Sequence, residues 1–112
     1  MNYEVILTED FKKFFKRLFK KYPSLKEDLL GLVDDLEKDF KIGIPLGHNL
    51  YKIRLAINSK SKGKSGGARV IYFFVSEEKE IYLIHIFDKS EYENILTSKL
   101  IEMLKSAGLI YR

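Results

Sequence analysis

Between Tyr51 and Phe87 the chain reads YKIRLAINSKSKGKSGGARVIYFFVSEEKEIYLIHIF, and the period of that stretch decides the fold. Tyr51, Ile53, Leu55 and Ile57 alternate with Lys52, Arg54 and Ala56, the two-residue repeat of a strand with one apolar and one basic face. A second strand is predicted from Ala68 to Val75 and a third from Glu80 to Phe87, joined by the tight polar connection Glu77–Lys79. Three strands in succession predict an antiparallel meander.

Upstream, Asn2 to Leu7 reads as a short strand, and Thr8 is placed to cap a helix whose first turn holds Glu9 and Asp10. Phe11, Phe14, Phe15, Leu18, Phe19 and Tyr22 then form one apolar stripe, with Lys12, Lys13, Lys16, Arg17, Lys20 and Lys21 as its solvated side. Pro23 closes that helix. Ser24 is expected to cap a second, in which Leu25, Leu29, Leu32, Val33, Leu36 and Phe40 repeat at helical spacing. Gly43 to Gly47 reads as a loop, and Ser90 to Ala107 as a closing helix stopped by Gly108. The expectation is an α+β fold. Its parts are an N-terminal strand, a helical hairpin, a meander completing a roughly four-stranded sheet, and a C-terminal helix, in a single domain over residues 1–112.

The 112 residues contain no cysteine, which removes disulfides, thiolate zinc sites and cysteine nucleophiles together. No apolar run approaches the length of a membrane span and the first residues lack a signal-peptide pattern, so a cytoplasmic protein without a membrane partner is expected. From Phe40 to Ser76 there are seven basic side chains and no Asp or Glu, so the net charge of +4 understates a strong local field. Such a field favours a polyanion such as a phosphate backbone.

Within that stretch, the loop Lys60–Arg69 is longer than a hairpin requires. Its glycines allow close backbone approach to a phosphate, and Lys60, Lys62 and Lys64 supply charge. A nucleotide-binding P-loop is excluded, because that motif needs glycine where Asn58 stands and a helix where a strand follows. A solvated loop with no specific role is the competing reading. Lys52 and Arg54 share a strand face with Arg69, and alternation on the third strand places Tyr82, Ile84 and Ile86 inward. His85 and Phe87 are thereby expected outward, with Lys89 just beyond. Cations for phosphates and an aromatic ring for an unpaired base suit RNA. The competing reading is an ordinary half-exposed sheet with scattered cations. His48 and His85 are far apart and the basic face has no carboxylate cluster, so neither a metal nor another cofactor is expected.

The segments YKIRLA (51–56), GKSGGARVIYFF (63–74) and IYLIHIFDKSE (81–91), in that order after a strand and two helices, resemble the RelE and HigB superfamily of bacterial type II toxin–antitoxin toxins, particularly its HigB-like branch. The resemblance spans nearly the whole chain. It implies an endoribonuclease, an mRNA interferase that cuts message on the ribosome, inhibits translation and is silenced by a cognate antitoxin in a complex of higher order. It puts the family's basic pair on Lys52 and Arg54, its next arginine on Arg69, and its cation after the last strand on Lys89. Some relatives carry a C-terminal tyrosine; the equivalent region here offers Ile95, with Tyr92 one turn earlier, so His85 and Tyr92 stand as alternative general bases. Cleavage without metal would use the RNA 2′-hydroxyl as nucleophile, with Arg69 stabilising the phosphorane and Lys89 or Arg54 assisting. Two other functions remain open at this level: a gyrase-inhibiting toxin of the ParE branch, and a non-catalytic RNA-binding module.

Overall fold

The computed structural model describes residues 2–60, 67–91 and 95–110. In chain order the elements are β1 (Glu4–Leu7), α1 (Glu9–Lys21), α2 (Leu25–Lys38), a 3-10 turn (Phe40–Ile42), β2 (Ile44–Gly47), β3 (Leu50–Leu55), β4 (Ala68–Val75), β5 (Glu80–Asp88) and α3 (Thr97–Ser106). The sheet order is β1-β5-β4-β3-β2. The meander β3-β4-β5 is antiparallel throughout, and β1 joins its far edge parallel to β5. The sheet thus has five strands, one more than the periodicity suggests. The additional one is β2, in the segment read as a loop. His48 and Asn49 both adopt left-handed φ (56° and 63°), giving the two-residue turn that folds β2 onto β3.

Thr8 caps α1 as expected: its Oγ1 accepts from the Phe11 N–H at 3.2 Å and donates to the Leu83 carbonyl at 2.9 Å, fixing the helix start on β5. Ser24 does not cap α2. Its backbone is already helical, and its hydroxyl instead bonds Asp28 (2.8 Å) and Ser59 (2.9 Å), tying the start of α2 to the turn after β3. Asn58 adds two bonds to the Asp28 carboxylate, at 2.7 and 3.1 Å.

Apolar side chains cover both faces of the sheet. On one, Val70, Tyr72, Ile81, Leu83 and Ile86 pack beneath Phe11, Leu18, Leu25, Leu29, Leu32 and Leu36 of the helical hairpin. On the other, Leu50, Ile71, Phe73, Ile84 and Phe87 are covered by Leu100, Met103 and Leu104 of α3. This second layer corrects the expectation of an open sheet face. A further correction lies in β5. Ile71 pairs with His85 but Tyr72 pairs with Leu83, so β5 carries one extra residue at Ile84. A bulge of this kind switches the side-chain alternation. Tyr82 and Ile84 therefore join the α3 side rather than the hairpin side, while Ile86 faces inward as expected.

The long loop between β3 and β4 is closed tightly at its base. A Cβ on Gly67 would stand 2.4 Å from the Leu55 carbonyl oxygen, a backbone atom that cannot swing aside. Gly67→Ala is expected to lower stability by about 1–3 kcal/mol through this overpacking, read as a reduced denaturation midpoint. An unchanged midpoint would mean the hairpin base is looser than its geometry implies.

Candidate functional site

Register brings the cations together. Arg54 on β3 stands directly opposite Arg69 on β4, and Arg69 in turn opposite Phe87 on β5. Directly opposed side chains start about 5 Å apart at Cβ, and like charges so placed repel. Arg54 is exposed, whereas Arg69 is only 6 % exposed and donates from Nη1 to the Ala68 carbonyl at 3.1 Å. Burial first, and the Arg54 charge second, push the Arg69 guanidinium below its ordinary pKa. Two guanidiniums held in register, one of them largely desolvated, constitute a site that an anion would relieve.

Lys52 lies one alternation further along β3, opposite Ile71. It lines an open groove of about 390 Å³ with Leu46, Ile71, Ile95, Leu96 and Thr97. Ile95 thus reaches the basic face at the start of α3. Lys89 is half-buried in the turn after β5, where its backbone N–H donates to the Gly67 carbonyl at 3.1 Å.

Other sequence-predicted residues are placed differently. Phe87 shares the face of Arg69 but is wholly buried under α3, so its ring is not open to a base. His85 is 3 % exposed, its ring edge-to-face with Phe14 at 4.4 Å. Burial, then the positive charge of Arg17, hold its pKa at about 4, with Asp10 opposing and Lys99 reinforcing the shift. At neutral pH it is therefore an uncharged, enclosed ring and a weak proton acceptor. The loop cation Lys60 is not solvated either: its ammonium contacts the Asp88 carboxylate at 2.8 Å and lies 5.3 Å from the Tyr22 ring centre. Lys62, Lys64 and Tyr92 fall outside the described residues. Among the described residues no three His, Asp or Glu side chains gather as a metal would need.

Asp88 is the polar residue that sequence reasoning passed over. It is completely buried and accepts from Tyr22 Oη (2.7 Å), Lys60 Nζ (2.8 Å), Ser90 Oγ (2.9 Å) and the Ser90 N–H (3.0 Å). Burial alone would raise its pKa, but these donors together carry it far below the usual carboxylate range. The same bond pushes the Tyr22 hydroxyl up to about 12. The signal was present in sequence as an acid ending an apolar strand and directly preceding Lys89.

Comparison with known proteins adds a family and a fold. The model of the RelE toxin of the RelE/RelB toxin–antitoxin system matches residues 10–111. A doubly substituted form of the Escherichia coli toxin RelE in the free state aligns over 95 % of this chain and 98 % of its own, at a TM-score of 0.63 and 18 % identity. The intact E. coli RelBE toxin–antitoxin complex aligns over 75 % of this chain and 93 % of its own, at 0.58 and 21 %. The Mycobacterium tuberculosis complex RelBE2 aligns over 79 % and 92 %, at 0.59 and 16 %.

Proposed function

The chain belongs to the RelE toxin family of the RelE/RelB toxin–antitoxin system, and on that footing we propose that it is a metal-independent endoribonuclease that cuts mRNA on the ribosome and so inhibits translation. The observation that carries this reading is the Arg54–Arg69 pair, two cations set opposite each other on neighbouring strands and partly desolvated. Such a pair is unfavourable in the free protein and becomes favourable around a phosphate whose negative charge grows during reaction.

In the proposed step the RNA 2′-hydroxyl gives up its proton to the base or to water, its oxygen forms a bond to the adjacent phosphorus, and the bond from phosphorus to the 5′-oxygen breaks. A cyclic phosphate remains on one fragment and a 5′-hydroxyl on the other. Arg69 and Arg54 hold the equatorial oxygens of the phosphorane. Lys89 supplies a proton or charge to the leaving oxygen, and Lys52 grips the strand one step away. His85, enclosed and held near pKa 4, is a weak base for the 2′-hydroxyl, which leaves Tyr92 as the alternative base and gives alignment of the reacting groups a large share of the rate. A large partner that bends the message into line meets that need. The cytoplasm, where ribosomes translate, is the corresponding location, and no helix among the described residues is long and apolar enough to cross a membrane.

The proposed protein partner is a cognate antitoxin, in a complex of higher order. It would cover the basic face or displace α3, whose Leu100, Met103 and Leu104 seal the α3 side of the sheet.

Purified protein is expected to cut a defined mRNA when ribosomes are present and to leave the naked message almost intact, as read by primer extension. Equal cleavage with and without ribosomes would overturn ribosome dependence, and no cleavage in either case would overturn the nuclease assignment.

A further inference from the structure

Four parts of the chain meet at the Asp88 carboxylate. Tyr22 comes from the end of α1, Lys60 from the start of the basic loop, and Ser90 from the turn after β5, while Asp88 itself closes that strand. Main-chain contacts extend the same node. Asp88 pairs with Ala68, whose carbonyl receives the Arg69 guanidinium, and the neighbouring Lys89 N–H bonds Gly67 at the other end of the loop. Both ends of the basic loop and the segments bearing Arg69 and Lys89 are thus referenced to one residue.

A buried ion pair is a poor way to gain stability. Desolvation of Asp88 and Lys60 offsets most of their attraction, and a well-packed apolar pair of similar volume generally serves the fold as well or better. What the pair provides is direction, because four donors converge on two oxygens in a single arrangement. We propose that Asp88 is a positioning residue for RNA cleavage: through Lys60, Tyr22 and Ser90 it locks the turn carrying Lys89 and the base of the basic loop against the strand carrying Arg69. It touches neither the phosphate nor the nucleophile. This inference rests on the ribonuclease reading above.

The geometry separates positioning from mere support. Asp88→Asn keeps shape and most hydrogen bonds but removes the charge that holds Lys60. The double variant Asp88→Leu with Lys60→Met replaces the pair by apolar groups and leaves no lone buried charge. The double variant is expected to melt at or above the wild-type temperature, yet to cut ribosome-bound mRNA with kcat reduced about 100-fold and KM little changed, the penalty of misplacing reacting groups by an ångström or so. Asp88→Asn is expected to show the same split to a smaller degree. Wild-type kcat in the double variant, or in Asp88→Asn should the double variant not fold, would show that the node is only structural and overturn the proposal. A wild-type protein that cuts no message under any condition would instead remove the ribonuclease reading, and the positioning role with it.

Discussion

Arg69→Ala is expected to lower ribosome-stimulated mRNA cleavage by about 10²–10³-fold, the loss typical of removing one preorganised donor to a developing oxyanion. Stability should barely move. The side chain is 6 % exposed and bonds the Ala68 carbonyl, so truncation leaves a void and removes that bond, but it also ends the repulsion from Arg54 across the β3–β4 pair, and the two effects oppose each other. Restoring charge with Arg69→Lys should recover only part of the rate, because an ammonium cannot offer the planar fork of a guanidinium. Lys89→Ala should fall between these two variants. Single-turnover cleavage of ribosome-bound message, paired with thermal melts, measures both quantities. Full activity in Arg69→Ala would sink the assignment, and growth arrest persisting without cleavage in that variant would favour a gyrase target of the ParE kind.

Mild acid should destabilise the protein through His85. In the unfolded chain this imidazole titrates at its ordinary 6.5, whereas in the fold it titrates at about 4. Between those values the unfolded state binds a proton that the folded state refuses, so stability is complete above pH 6.5 and falls progressively toward pH 4. The full loss is about 3 kcal/mol, a large share of the stability of a domain this size. Asp88 acts lower on the scale. Its folded pKa is depressed, so its contribution is present above the ordinary carboxylate value and is lost only as pH falls beneath it. Urea denaturation at pH 7, 5.5 and 4.5 isolates the histidine window, and His85→Leu should flatten the curve there. A wild-type protein equally stable at all three pH values would contradict the enclosed, neutral ring.

The two faces of the meander account for most of what was legible in sequence. Alternation from Tyr51 to Ile57 and the stripe from Phe11 to Tyr22 fixed the hairpin side of the core, because strand and helix periods are properties of a few adjacent residues. The other face was misread as open, although the signal existed: β4 is apolar at both parities, with Ile71 and Phe73 opposite in sense to Val70 and Tyr72. A strand apolar on both sides is buried on both sides. The extra residue at Ile84 left no trace in the pattern, since a bulge depends on pairing with β4 and not on local composition. At the site, Lys52, Arg54 and Arg69 fell on a common face as alternation required. Asp88, in contrast, owes its importance to Tyr22, distant in sequence and assigned by its spacing to the apolar stripe.

The parallel pairing of β1 with β5 has a consequence in time. Glu4 aligns with Glu80 and Leu7 with Leu83, so the first strand made must wait for the last before its edge is satisfied. At elongation rates of about 5–20 residues per second, the N-terminal segment spends several seconds of its own synthesis unable to complete the sheet. The Arg54–Arg69 row can pair within the meander, but the Asp88 node and the α3 cover come last of all. The Asp88 node and the proposed site are therefore complete only once the chain has been made through β5, a delay that the strand order builds into the synthesis of this fold.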